Sequence, residues 1–475
     1  MPRLNRREFL ERTLWAAAAS AAAPLPLSAS PGGRRAGPND LLRVAVVGVR
    51  GRGGGHVSAF AAMKDVQIAA LCDVDENVIA GAMKRAEEAG GRKPAFYKDY
   101  RKLCEAPSID AISVATCNHT HTLISLTAAQ AGKHVYVEKP LSHNVWEGRK
   151  LVEAARKYGV VVQHGTQSRS EGRWRRAIAF LRSGKLGAVK TARGLCYKRR
   201  PSIGFKPDGP APPGVDYDLW LGPAPERPFN PNRFHYNWHW FWDYGNGDLG
   251  NQGVHQMDIA LWGLGKTELP RRVLSVGGRL GYKDQAETAN TQVCWYDYGD
   301  AEIVFEVRGL DTDPFMGQRI GNIFHCEKGY LAGTTAFDLD GAKIPIEAED
   351  DGKGGNHFRV FVDAVRGGKK ESPTADVIDG HLSSALCHLG NISYRLGERR
   401  KLSEEAPFRE IASGQEAYRR MRAHLRDNGV GEETEFFVGR MLDFDPVSET
   451  FKGCEEADRL LTREYRKPFV VPEKV

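Results

Sequence analysis

A carboxylate and an amine stand side by side at Glu138 and Lys139, directly after the apolar run His134–Val137 and before Pro140. In an open parallel sheet, ligands bind just past the carboxyl ends of strands. At such a point the lysine can take or give a proton and the glutamate can bias it. Spacing alone also leaves open a solvated surface pair. Further along, Gly245-Asn-Gly-Asp-Leu-Gly-Asn-Gln-Gly-Val-His-Gln-Met-Asp258 sets Asn251 and His255 four residues apart, which predicts both on one helical face. An asparagine can orient a hydroxyl but cannot take its proton. Lys139 and His255 each carry a nitrogen that can take a proton, and a lysine can do so near neutral pH if burial lowers its pKa.

Just before that segment, Arg233-Phe-His-Tyr-Asn-Trp-His-Trp-Phe-Trp-Asp-Tyr244 is the densest aromatic stretch in the chain. Aromatic faces with interleaved polar groups suit sugar rings. Tyr236, Trp238 and His239 are the candidate substrate contacts there, and Lys198 joins them from the run that leads to Pro201. His235, His239, His255 and Asp248 have the ligand types of a zinc site, but their spacing fits no standard one, so no metal is expected.

The elements that must position these groups begin at Leu42–Val47, a near-continuous apolar run of the kind found in buried parallel strands. It enters Gly48-Val-Arg-Gly-Arg-Gly-Gly-Gly55 and then a helical segment predicted over His56–Met63. Strand, glycine turn and helix N-terminus make a pyrophosphate site. Gly48 and Gly53 fit the G-x-G-x-x-G pattern; Arg50 occupies its second glycine position, where Gly51 can serve instead, and Arg50 or Arg52 can reach a phosphate. The second strand, Val66-Gln-Ile-Ala-Ala-Leu-Cys-Asp73, ends in an acid 25 residues after Gly48. A carboxylate there accepts from ribose hydroxyls and repels a 2′-phosphate, which favours NAD over NADP. The strand Ile109–Thr116 ends beside Asn118 and His119, before a helix predicted over Thr122–Ala131. Thr116, Asn118 and His119 are therefore further cofactor candidates, as are Glu138, Lys139 and, after the strand pattern Gly159–Gly165, Gln167.

Ala115-Thr-Cys-Asn-His-Thr-His121 followed by Ala131-Gly-Lys-His-Val-Tyr-Val-Glu-Lys-Pro140 resembles the Gfo/Idh/MocA oxidoreductases, named for glucose–fructose oxidoreductase and inositol dehydrogenase. The resemblance implies an α/β fold: a Rossmann NAD-binding domain (39–166) and a second α/β domain (167–400) whose large open, mainly antiparallel sheet carries the substrate site. Residues 401–475 would then be an extension packed on the body. It also implies a homo-oligomer built through that sheet, a sugar or polyol substrate, and an acid–histidine pair that shuttles the hydroxyl proton with the strand-end lysine. His255 matches the histidine and Asn251 stands where the acid is usual. Related NAD-dependent glycosidases break a glycosidic bond through transient sugar oxidation and elimination. Retention of Lys139 favours net redox over that alternative.

At 475 residues the chain exceeds one hydrophobic core, so two domains are expected. Of the formal charge of +7, residues 1–37 carry +4, from six arginines against Glu8 and Glu11. The rest shows no basic stripe interleaved with aromatics, which excludes nucleic acid as a partner. Asn5-Arg-Arg-Glu-Phe-Leu10, the alanine-rich Leu14–Ala23 and the following prolines resemble a twin-arginine export signal over residues 1–38. The apolar run is too short for a membrane span. A periplasmic or other extracytoplasmic protein is expected, carrying a tightly held cofactor loaded before export. The eight cysteines form no C-x-x-C pair and read as buried small hydrophobes, without an essential disulfide.

Overall fold

A computed structural model describes residues 41–349, 351–368, 373–404 and 407–475; the leader with its arginine pair lies outside the described residues. Leu42–Val47 (β1), Val66–Cys72 (β2), Ala95–Tyr97 (β3), Ala111–Val114 (β4), His134–Val137 (β5) and Val162–His164 (β6) form one sheet in the order β3-β2-β1-β4-β5-β6. Every pair in it is parallel. Parallel neighbours need crossovers, which the intervening helices supply, covering both faces and burying β1, β4 and β5 almost completely. Because all six strands point one way, Gly48, Asp73, Ala115, Glu138 and Gly165 emerge along a single edge. The strand order reverses between β1 and β4, which opens a crevice there.

Two helices start earlier than expected, and both shifts matter to the site. The first runs Arg52–Ala61, because the glycines are part of its opening turn rather than a loop before it. At Gly53 a β-carbon would stand 1.7 Å from the Gly48 carbonyl oxygen, so only glycine permits this turn. The helix expected from Thr122 spans Asn118–Gln130, which draws Asn118 and His119 into its first turn.

In the second domain, Val189–Tyr197 (β7), Arg272–Gly278 (β8), Thr291–Asp297 (β9), Glu302–Arg308 (β10) and Ile320–Cys326 (β11) are ordered β11-β7-β10-β9-β8. Only β7 and β10 pair in parallel; the other pairs are antiparallel. Short strands extend both edges, including Glu435–Val438 and Leu442–Asp445 from the C-terminal region, which both pair with β8. One face of the sheet packs on the helices Gly253–Leu264 and Val377–Arg395, through Met257, Leu261, Leu386, Phe305 and Phe324. The other is partly covered by the helix Ala412–Asp427, whose Tyr418, Met421 and Leu425 lie against Leu274, Val293 and Trp295. The chain itself thus shields β8 and β9 on that face of the sheet. Val377, near the start of the long helix, joins the core of the first domain, so this helix ties the domains together. The last residues return to the first domain as well, with Phe469 and Val471 buried beside Tyr100 and Leu103. Among the described residues, no helix is long and apolar enough to cross a membrane.

Candidate active site

Glu138 leaves β5 with its backbone amide still bonded to Val114 and its side chain buried. Its Oε1 accepts from Arg52 Nε at 2.7 Å and lies 3.0 Å from His56 Nε2; His56 Nδ1 is 2.8 Å from Ser113 Oγ. Arg52 and His56 stand one turn apart on their helix, so both reach the same carboxylate. Burial opposes ionisation of Glu138, yet His56, Arg52 and Lys139 hold its carboxyl well below the usual carboxylate range. Arg52, expected at a phosphate, is therefore engaged with Glu138, while Arg50 is exposed at the cleft mouth. Gln167 Nε2 approaches the same Oε1 at 3.4 Å without lining the cleft.

Lys139 Nζ crosses to the second domain, where it donates to Asn251 O at 2.9 Å and Asn251 Oδ1 at 3.1 Å. The single helix expected through Asn251 and His255 is broken. Helices Gly247–Asn251 and Gly253–Leu264 meet at Gln252, between Gly250 and Gly253, residues of weak helix propensity. His255 N bonds to Gln252 O across the break, and the Asn251 carbonyl accepts instead from the lysine. Burial, helped by the charges of Arg52 and Lys198 and opposed by Glu138, places the Lys139 ammonium below its ordinary pKa. His255 is pushed down to about 3 by burial and then by the Lys139 charge, so its ring is neutral near pH 7. An aspartate at 251 would set a second carboxylate on Lys139. Asn251→Asp is expected to raise the acidic limb of the pH–rate profile by about one to three pH units, measured as kcat against pH.

Toward the nucleotide end, Asp73 Oδ2 accepts from Val49 N at 2.8 Å and Oδ1 from Asp75 N at 3.0 Å. Burial raises its carboxyl and these amides oppose the rise. Each oxygen keeps a lone pair for a ribose hydroxyl. Gly51 adopts φ +57°, and a β-carbon there would meet no protein atom, leaving backbone open to a pyrophosphate. This donor set fits a bound NAD. Gly48 and Thr116 line the same cleft, and so do Asn118 and His119, which are also tied to the second domain. Asn118 Nδ2 donates to Asn246 Oδ1 at 3.0 Å, and His119 Nε2 lies 2.9 Å from the Trp220 carbonyl.

The cleft, about 340 Å³, continues past Lys139 and Asn251 to Trp238 and the exposed ring of Tyr236. Lys198 and His239 do not line it. Lys198 is held by its amide on the Arg308 carbonyl, and His239 Nδ1 is 2.6 Å from the Tyr236 carbonyl. Sequence reasoning missed the support beneath the aromatic ledge. Arg200 binds the buried Asp248 at 2.9 and 2.5 Å and reaches the Tyr236 hydroxyl at 3.3 Å. Its sole signal was a place in the basic run Lys198–Arg200. Asp248 is committed to Arg200, and His235 Nε2 lies 3.1 Å from Asp75 Oδ2, so the zinc set does not converge. Among the described residues no three His, Cys, Asp or Glu side chains are grouped to hold a metal.

Residues 42–166 match the family model described as an oxidoreductase family, NAD-binding Rossmann fold, and residues 204–428 match that family's C-terminal alpha/beta domain. The chain belongs to the Gfo/Idh/MocA oxidoreductase family, and its first domain is an NAD-binding Rossmann domain. Among curated relatives, it is similar to a glycosyl hydrolase family 109 protein of Shewanella pealeana (33% identity; 32% of this chain, 37% of the relative). It is also similar to the myo-inositol 2-dehydrogenase of Thermotoga maritima (28% identity; 37% of this chain, 48% of that one). The chain thus spans less than half the length of these two relatives. In fold it resembles the WlbA dehydrogenase of Bordetella pertussis, solved with NADH and UDP-GlcNAcA (TM-score 0.54, 19% identity, 74% of this chain and 97% of that one). GenD2 from gentamicin A biosynthesis, solved with NAD, is similar at TM-score 0.53 and 20% identity (74% of this chain and 93% of that one).

Proposed function

We propose that this protein is an NAD-dependent enzyme that transfers hydride between the nicotinamide and a secondary carbinol or ketone carbon of a sugar or polyol. The observation that carries the reading is the Lys139–Asn251 contact, at the strand end where the NAD cleft meets the aromatic ledge. Bound NAD supplies the hydride acceptor. Trp238 and Tyr236 offer faces on which a pyranose or inositol ring can lie. Lys139, with its pKa lowered, takes the hydroxyl proton in oxidation and returns it in reduction. Asn251 holds the amine in place, while His255, neutral, does not line the cleft. The similarity to a myo-inositol 2-dehydrogenase supports the substrate class.

The family 109 relative favours a second reading, glycoside cleavage through transient sugar oxidation and elimination. A screen of aryl glycosides and free hydroxy- and keto-sugars separates the two. Net change in NADH with a free sugar supports the first; aglycone release without net NADH supports the second. Neither outcome with any substrate would sink both. The arginine-pair leader supports export, and hence a cofactor that is retained and recycled between two substrates rather than exchanged. A homo-oligomer remains part of the proposal, and the part of the sheet face that the helix Ala412–Asp427 leaves open would carry the contact.

A further inference from the structure

The adenosine side of the cleft is walled by two segments far in sequence from the nucleotide-binding domain. Asp73 marks where the ribose sits. Directly past it, the Val74 carbonyl accepts from Asp216 N at 2.8 Å, and Glu76 N donates to Gly214 O at 3.1 Å. Asn77 Nδ2 adds a bond to Pro213 O at 2.9 Å. These three bonds fasten the proline-rich segment across the mouth of β2. His235, from the aromatic stretch that follows, adopts φ +63°, a left-handed backbone seldom taken by a residue with a β-carbon. Such conformations persist where surrounding structure enforces them, and they cluster at ligand clamps. Here His235 lines the cleft and pairs with Asp75, two residues beyond the ribose carboxylate.

The second wall is the end of the chain. Phe469 lines the same cleft and packs in one apolar cluster with Tyr100 and Leu219. Its ring is flanked by the guanidinium groups of Arg101 and Arg466 at 5.1 and 4.8 Å. Arg466 in turn donates to the Gly222 carbonyl at 3.0 Å and to Asp218 at 2.5 Å. The tail is therefore anchored to the second-domain segment as well as to the first domain.

We infer that the adenosine half of NAD is held in a three-sided subsite made by Asp73 and Tyr100, by His235 and by Phe469, and that this enclosure keeps the cofactor bound through turnover. Phe469, braced by its two arginines, closes the adenine end of the cleft, while His235 holds the neighbouring segment shut over the ribose. Release then requires two walls that brace each other to open. The inference rests on the retained-cofactor reading above, but it is independent of which substrate is turned over.

The test is exchange of isotopically labelled NAD into purified holoenzyme, read by mass spectrometry of the cofactor released on denaturation. Wild-type protein is compared with Phe469→Ala, Phe469→Leu and His235→Asn; asparagine tolerates the left-handed backbone, and leucine keeps the apolar packing. Exchange at least about tenfold faster in Phe469→Ala and His235→Asn, with Phe469→Leu between them and wild type, is the expected result. Exchange as fast in wild type as in the variants, or variants as slow as wild type, would overturn the subsite. Because no substrate is added, a protein inert to every sugar would still answer the question. Wild-type protein that releases no NAD on denaturation and also binds none when it is added would overturn the cofactor assignment and the subsite with it.

Discussion

Lys139→Ala is expected to lower kcat by about 10²–10⁴-fold while NAD remains bound. Lys139 Nζ stands at the junction of cofactor cleft and aromatic ledge, and burial sets its ammonium below its ordinary pKa, which eases its work as a base. Its neighbours cannot substitute: Asn251 has no basic site, and His255, held down to about 3, binds a proton too weakly. Lys139→Arg should be as inactive as the alanine variant, since a guanidinium stays charged and cannot serve as base. An added small primary amine should partly restore the alanine variant and leave the arginine variant unchanged. Quenching of protein fluorescence by NADH separates lost chemistry from lost cofactor. An arginine variant with wild-type kcat would place the base elsewhere.

Glu138→Ala is expected to destabilise the fold by about 3 kcal/mol, the lower end for breaking a buried ion pair. Arg52 is half-exposed, so solvent screens its share, whereas His56 is fully buried and loses its partner outright. The sign of the pH dependence follows from the depressed carboxyl. Glu138 contributes stability that is fully present above the ordinary carboxylate pKa of about 4.3 and is lost as pH falls below it. Denaturant midpoints should therefore differ most between wild type and variant at neutral pH, and converge on acidification. A gap that is constant across that range would mean that the charge of Glu138 is not what stabilises the strand end.

The strand-end chemistry was legible because it depends on local order. An apolar run ending in Glu138-Lys139-Pro140, a glycine turn after β1 and an acid after β2 each declare themselves within about ten residues. Even the replacement of the usual acid by Asn251 was readable. What sequence could not show is how the helix breaks. Periodicity alone put Asn251 and His255 on one face, but the glycines on either side interrupt the helix at Gln252 and hand a backbone carbonyl to Lys139. Arg52 illustrates a second limit. Its place in a phosphate loop suggested an anion ligand, and only the packed structure reveals a carboxylate 86 residues away as its partner. The walls of the adenosine subsite left no trace at all. Backbone bonds from residues 213–216 have no side-chain signature, and Phe469 is one aromatic in a charged tail with no periodic pattern.

The most direct measurement follows the redox state of the bound nicotinamide by its near-ultraviolet absorbance. Holoenzyme is mixed with a panel of sugars and polyols, in the oxidised form with hydroxy compounds and in the reduced form with keto compounds. At least one compound is expected to convert the bound cofactor in wild-type protein, and the same compound to leave the Lys139→Ala cofactor unchanged. Bound nicotinamide that no sugar or polyol oxidises or reduces, or conversion at the wild-type rate without Lys139, would contradict it.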